Sequence, residues 1–224
     1  KQTMPILANV LVAAKGGKLS ITATDLEVEL VATSDVDVQR GGEITIPGRK
    51  LLDICRALPE GTEITLAQEG ERMLVRARKS RFTLTTLPAA EIPTVEEINA
   101  EQTLQLPQKD FKRLLDKTHF SMAQQDVRYY LNGLLLETSA KMLRAVATDG
   151  HRLALCEVEL ANGGKAGQQV IVPRKGVLEL QRILGNEDQL LEVSIGSNHL
   201  RVQIGDIRFT SKLIDGRFPE YSRV

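Results

Sequence analysis

Asp149 and His151 stand two residues apart in the run Val146 to Leu153, VATDGHRL, and a carboxylate that close to an imidazole is the raw material of general acid-base chemistry. A hydrolase built on that pair is one reading of the chain. Against it, Asp25 holds the corresponding place in Ile21 to Glu27, ITATDLE, with no histidine nearby, so a hairpin turn accounts for the aspartate without any reaction. The other reactive groups form no motif. His119, His151 and His199 lack metal-ligand spacing to one another or to Cys55 and Cys156. The sequence holds no glycine-rich phosphate loop, nucleophile elbow or paired-carboxylate motif. The expectation is therefore a protein that is not an enzyme and needs no metal or cofactor. Cys55 and Cys156, far apart and in apolar contexts, read as two buried thiols in a reducing, cytoplasmic compartment.

The spacing of positive charge is more informative. Arg49, Asp53 and Arg56 fall at i, i+4 and i+7, one face of a helix. Lys175, Glu179 and Arg182 repeat that basic-acidic-basic face 126 residues later. Lys109, Arg113 and Lys117 form a third face opposite Phe111, Leu114 and Leu115. The chain as a whole is neutral, with 29 Lys and Arg against 29 Asp and Glu. That excludes a simple basic nucleic-acid binder. It leaves room for a local surface that touches phosphates without reading bases.

Those helices and turns belong to a unit that occurs twice. Thr24 to Thr148 is a displacement of 124 residues, Pro47 to Pro173 of 126, Phe82 to Phe209 of 127 and Pro93 to Pro219 of 126. The order of elements between the anchors is also the same, which is the mark of duplication. In the first unit, alternating runs at Leu7 to Ala13, Lys18 to Ala23, Leu26 to Ala32 and Glu43 to Ile46 read as strands. A helix follows Pro47, its inner stripe made of Leu51, Leu52, Ile54, Cys55 and Leu58. Three strands close the unit, and Ala89 to Gln102 reads as a connector. The second unit opens with an extra strand, Gln102 to Leu106, and an extra helix, Lys109 to Lys117, before repeating the pattern. No apolar run approaches the roughly 18 to 20 residues of a membrane span, so no membrane partner is expected.

The runs FSMAQQDVRYYLNGLL (Phe120 to Leu135), VATDGHRLA (Val146 to Ala154), VIVPRKG (Val170 to Gly176) and FTSKLIDGRFPEY (Phe209 to Tyr221) resemble the beta subunit of bacterial DNA polymerase III, the sliding-clamp family. PILANVL, TATDLE, RKLLDICRALPEG and ERMLVRARKSRF extend the resemblance to the first unit. What the resemblance implies is an α+β clamp fold, with helices on an inner face and antiparallel sheets outside. It implies a first domain at 1–98 truncated at its start, a second at 99–219, and 220–224 as the beginning of a linker to an absent third. The implied function is a processivity factor that encircles duplex DNA as a homodimer. It would tether the DNA polymerase III alpha subunit and also receive the clamp loader delta subunit and other polymerases and repair proteins.

By the same resemblance Lys1, Arg49, Gln125, Tyr129 and Tyr130 would touch DNA, joined by Lys175 and Arg182 from the repeated helix face. A groove for partner peptides would comprise Leu131, Thr148, Gly150, His151, Arg152, Leu153, Pro219, Arg223 and Val224. There Leu131, Leu153, Pro219 and Val224 would supply an apolar pocket, Gly150 would let a backbone approach, and Arg152 and Arg223 would bond polar groups at the rim. The rival to this reading is a repeat-built peptide-binding scaffold that never meets DNA.

Overall fold

The computed structural model describes residues 4–95 and 97–223, so Lys1 and Val224 lie outside the described residues. The chain divides into two compact units, Lys1–Val95 and Glu96–Val224. In the first unit β1 (Asn9–Lys15), β2 (Lys18–Thr24), β3 (Val28–Asp35) and β4 (Gly42–Pro47) pair antiparallel in the order β4-β1-β2-β3. Helix α1 (Gly48–Ala57) follows, then the meander β5 (Ile64–Glu69), β6 (Arg72–Ala77) and β7 (Ser80–Thr85). Val12, Ile46, Ile54, Met73, Val75 and Leu84 form the buried core between these layers.

The second unit contains β8 (Ala100–Pro107), α2 (Gln108–Asp116), β9 (Gly133–Thr138), β10 (Met142–Thr148), β11 (Leu153–Glu159), β12 (Gln169–Pro173), α3 (Arg174–Ile183), β13 (Leu190–Gly196), β14 (His199–Ile204) and β15 (Ile207–Lys212). The order β12-β9-β10-β11 repeats β4-β1-β2-β3 strand for strand. Register repeats too: Leu11 opposite Thr22 becomes Leu135 opposite Val146, and Val10 opposite Ile46 becomes Leu134 opposite Val172. The duplication expected from the spacing is thus present in the pairing of the strands.

A finer symmetry was not read from the sequence. All three helices are entered straight from a strand through a proline, Pro47, Pro107 or Pro173, whose φ lies between −57° and −60°. Proline suits that junction because its ring fixes φ and the first-turn N–H it lacks has no intrahelical partner. The second unit therefore holds two strand-proline-helix-meander halves. They exchange their opening strands, since β9 pairs with β12 and β13 with β8.

The helices are short, and one of nine residues such as α2 would be marginal alone, so burial must hold it. Phe111, Leu114 and Leu115 are all at most 1% exposed, worth about 1.5–3 kcal/mol each. In α3 the inward positions are Val177, Leu180 and Leu184, which correspond to Leu51, Ile54 and Leu58 around α1.

Two members of the stripe expected in α1 do not lie inside. Leu52 is 42% exposed and Cys55 is exposed. The equivalent of Cys55 is Gln181, whose Nε2 donates to Asp116 Oδ1 at 2.9 Å, so α2 covers that flank of α3. Among the described residues no helix covers α1 in this way. Cys156 is half-buried rather than enclosed. Two strand starts also shift. Pro5–Ala8 is a 3-10 turn before β1, and Leu26 sits in the turn before β3.

Candidate functional site

The turn between β10 and β11 is built by Thr148 and Asp149. Asp149 Oδ1 accepts the backbone N–H of His151 at 2.9 Å and of Arg152 at 3.0 Å, and Oδ2 accepts Arg152 Nε at 3.1 Å. Thr148 Oγ1 accepts the Gly150 N–H at 3.0 Å and donates to the Arg152 carbonyl at 2.7 Å. The first unit makes the same turn. Asp25 Oδ1 accepts from Glu27 and Val28, and Thr24 Oγ1 accepts from Leu26. Gly150 has φ +89° and Leu26, in the matching place, +81°.

This geometry argues against acid-base chemistry at the turn. The N–H groups of His151 and Arg152, followed by the Arg152 guanidinium, hold the Asp149 carboxyl down to about 2. A carboxylate that weakly basic is a poor proton acceptor near neutral pH. Its oxygens are occupied in holding the turn. Among the described residues no group of three potential ligands is placed to hold a metal ion.

Facing the turn is the loop from Gln124 to Asn132, which carries three candidate DNA contacts. Gln125 is exposed with φ +56°, while Tyr129 and Tyr130 lie in a 3-10 turn, Tyr129–Leu131, rather than at a strand start. Their rings meet edge to face at 5.7 Å. Tyr129 is 57% exposed and Tyr130 is half-buried. Two residues missed in the sequence organise this loop. Arg128 forks onto Asp126, Nε to Oδ1 at 3.0 Å and Nη2 to Oδ2 at 2.9 Å, and Nη2 also donates to the Asp149 carbonyl at 3.3 Å. Asn132 closes the loop by bonding both the N–H and the carbonyl of Asp126 at 2.9 Å. The bonds of Arg128, side chain first and then its own N–H, bring the Asp126 carboxyl down to about 2. The Asp-x-Arg spacing was the available signal.

The residues expected in the peptide groove divide by exposure. Gly150, His151, Arg152, Pro219 and Arg223 are exposed, while Thr148 and Leu153 are half-buried. Leu131, at 2% exposed, belongs to the core rather than to an open wall. Leu153 and Tyr130 pack on a buried cluster of Leu135, Val146, Ile171 and Phe218, with Ile214 and Tyr221 alongside. Ile214, Phe218 and Tyr221 were not anticipated.

Tyr221 fixes the segment that carries Pro219 and Arg223. Its hydroxyl donates to Glu137 and accepts from Arg144 Nη1 at 2.6 Å, while Arg144 also holds Glu137 at 3.1 Å and Glu157 through Nε at 2.6 Å. Burial pushes the Glu137 carboxyl up, but hydrogen bonds from Tyr221, Gln169 and Arg144 overcome it and bring it below its ordinary value. An open cleft of about 380 Å³ beside the β10-β11 turn is lined by Phe120, Met122, Asp126, Asp149, His151, Arg152 and Arg174.

The helix faces carry exposed charge as expected, partly neutralised within each helix. Arg49 pairs with Asp53 at 3.3 Å and Arg182 with Glu179 at 2.8 Å. Lys175 is exposed near the start of α3. No helix among the described residues is long and apolar enough to cross a membrane.

These elements define the class of protein first: a duplicated α+β module, four strands, a helix and three strands, of the DNA-clamp architecture. A structure of the DNA polymerase III subunit beta from Pseudomonas aeruginosa superposes with a TM-score of 0.96 at 50% identity, covering 100% of this chain and 61% of that one. A sliding clamp from Caulobacter crescentus gives 0.93 at 37% identity, covering 100% of this chain and 62% of that one. The chain belongs to the DNA polymerase III beta subunit family, matching its N-terminal domain over residues 1–96 and its central domain over 105–220. The beta sliding clamp of Escherichia coli K12 is 54% identical over all of this chain, which spans 61% of that relative's length.

Proposed function

We propose that these two units are the first and second domains, 1–98 and 99–219, of a sliding clamp, with 220–224 leading toward a third. Such a clamp is a non-catalytic processivity factor that encircles duplex DNA as a homodimer. It tethers the DNA polymerase III alpha subunit and offers one groove to the clamp loader delta subunit and to other polymerases and repair proteins. The observation that carries this reading is the exposed basic-acidic-basic helix face found in both units of a chain of this family. A face whose cations are partly paired and lie on rigid helices attracts phosphate diffusely, which permits movement along the duplex. The residues proposed to touch DNA are Arg49 in the first unit and, in the second, Lys175 and Arg182 on a helix and Gln125, Tyr129 and Tyr130 on a loop; Lys1 belongs to the same proposal but lies outside the described residues.

The groove reading takes Leu153 and Pro219 as apolar wall, Gly150 as the point where a peptide backbone approaches, and Arg152 and Arg223 as the polar rim; Val224, expected in the apolar pocket, lies outside the described residues. One experiment separates it from a scaffold that binds peptides alone. Arg49→Ala with Lys175→Ala should lower the slope of log affinity against log salt for duplex DNA by about 1 for each phosphate no longer neutralised. Calorimetric binding of a partner peptide should stay unchanged in that variant and be abolished in Gly150→Arg. An unchanged salt slope beside intact peptide binding would favour the scaffold.

A further inference from the structure

The left-handed backbone at residue 150 does not by itself demand glycine, because Leu26 adopts nearly the same φ in the matching turn. What distinguishes Gly150 is its neighbour. A Cβ there would lie 3.0 Å from Arg128 Nη1 and 3.2 Å from Nη2. The obstacle is the tip of a flexible side chain, so an added methyl group would press the guanidinium aside by a few tenths of an ångström, and the left-handed φ adds backbone strain in the turn itself. That guanidinium is the piece fitted between Asp126 and the Asp149 carbonyl. Arg128 is also part of the loop's own bonding: its N–H donates to Asp126 Oδ1 at 2.8 Å and its carbonyl accepts from Leu131 at 2.9 Å.

We propose that Arg128 is a positioning residue that couples two surfaces, the loop carrying Gln125 and Tyr129 and the turn carrying Gly150 and His151. A change at the turn is then transmitted to the loop, and binding of duplex DNA and of a partner peptide are linked. The inference rests on the assignment of those surfaces under the proposed function. At residue 150 glycine suits both the left-handed φ and the close approach of the Arg128 guanidinium.

The test compares Gly150→Ala, Arg128→Ala, their double variant and Arg128→Lys in the full-length protein. It follows amide hydrogen exchange over residues 126–132 and affinity for a short duplex at fixed salt. Gly150→Ala should speed exchange in that loop and weaken the duplex about fivefold, the low end of coupling between sites. Arg128→Ala should do the same, and the double variant should be no worse than Arg128→Ala. Arg128→Lys keeps the charge but loses the two-pronged grip, so it should behave like alanine. Unchanged loop exchange in Gly150→Ala, additive effects in the double variant, or rescue by lysine would each overturn the coupling. If the unaltered protein binds no duplex, the DNA assignment fails, and the exchange data still decide whether Arg128 joins the loop to the turn.

Discussion

Tyr221→Phe isolates the contribution of one hydroxyl to holding the segment that bears Pro219 and Arg223. The substitution removes two hydrogen bonds with charged partners, one to Glu137 and one from Arg144. It keeps the ring, over which the Arg144 guanidinium lies at 5.8 Å. Arg144 retains Glu137 and Glu157, and Glu137 retains Gln169, so neither charge is left bare. Hydrogen bonds to charged groups contribute about 1.5–3 kcal/mol when buried, and this site is only partly buried, so the pair together should be worth about 1–2 kcal/mol. Such a loss raises the undocked fraction of the segment by about 5- to 30-fold.

Limited trypsin digestion reads that fraction directly. The Arg217 side chain is 87% exposed whereas Phe218, on the far side of the scissile bond, is 5% exposed, so cleavage needs the segment to lift. When closing is fast relative to cleavage, the rate tracks the open population. The rate after Arg217 should rise about 5- to 30-fold, while cleavage at Lys79 and Arg81 in the first unit stays constant. No change after Arg217 would refute the argument. An equal rise at all sites would mean that the hydroxyl supports the whole chain rather than the segment.

Acid should loosen the loop and its facing turn together. Asp126 and Asp149 titrate near 2 in the fold against an ordinary value of 3.8, so the stabilisation they bring is complete above 3.8 and drains away as the pH falls toward 2. Amide signals of His151, Arg152 and Arg128 in NMR spectra should shift through that window; invariance down to pH 2 would contradict the bonding described. Gly133→Ala would put a Cβ 2.5 Å from the Val172 carbonyl and 2.8 Å from Ile171 Cγ2. Overpacking of this kind costs about 1–3 kcal/mol, and calorimetry of the full chain should show a clear fall in Tm, with a silent substitution counting against the packing.

Much of this was legible in the sequence because duplication writes the same physics twice. The Thr24-Asp25 and Thr148-Asp149 turns were readable because a short polar side chain bonding its own backbone is a local event. The stripe Phe111, Leu114 and Leu115 follows helical period, so its burial was readable as well. Leu52 and Cys55 were misjudged because period alone cannot say whether another helix covers a flank. Arg128, Arg144 and Tyr221 escaped for a related reason. Each has a partner 21 to 84 residues away, beside nearer ones such as Asp126 for Arg128 and Glu137 for Arg144, and a polar side chain carries no mark of the distant group it will meet. The exchange of opening strands between halves of the second unit is likewise a property of pairing, which periodicity does not encode.

Encirclement is the claim on which the functional account stands, and retention on circular against linear duplex DNA tests it most directly. Once placed on a nicked circle, the full-length protein should remain through a high-salt wash and leave when one cut linearises the circle. Equal retention on both forms, or release from both as soon as salt screens the helix faces, would contradict a ring and leave a surface binder in its place.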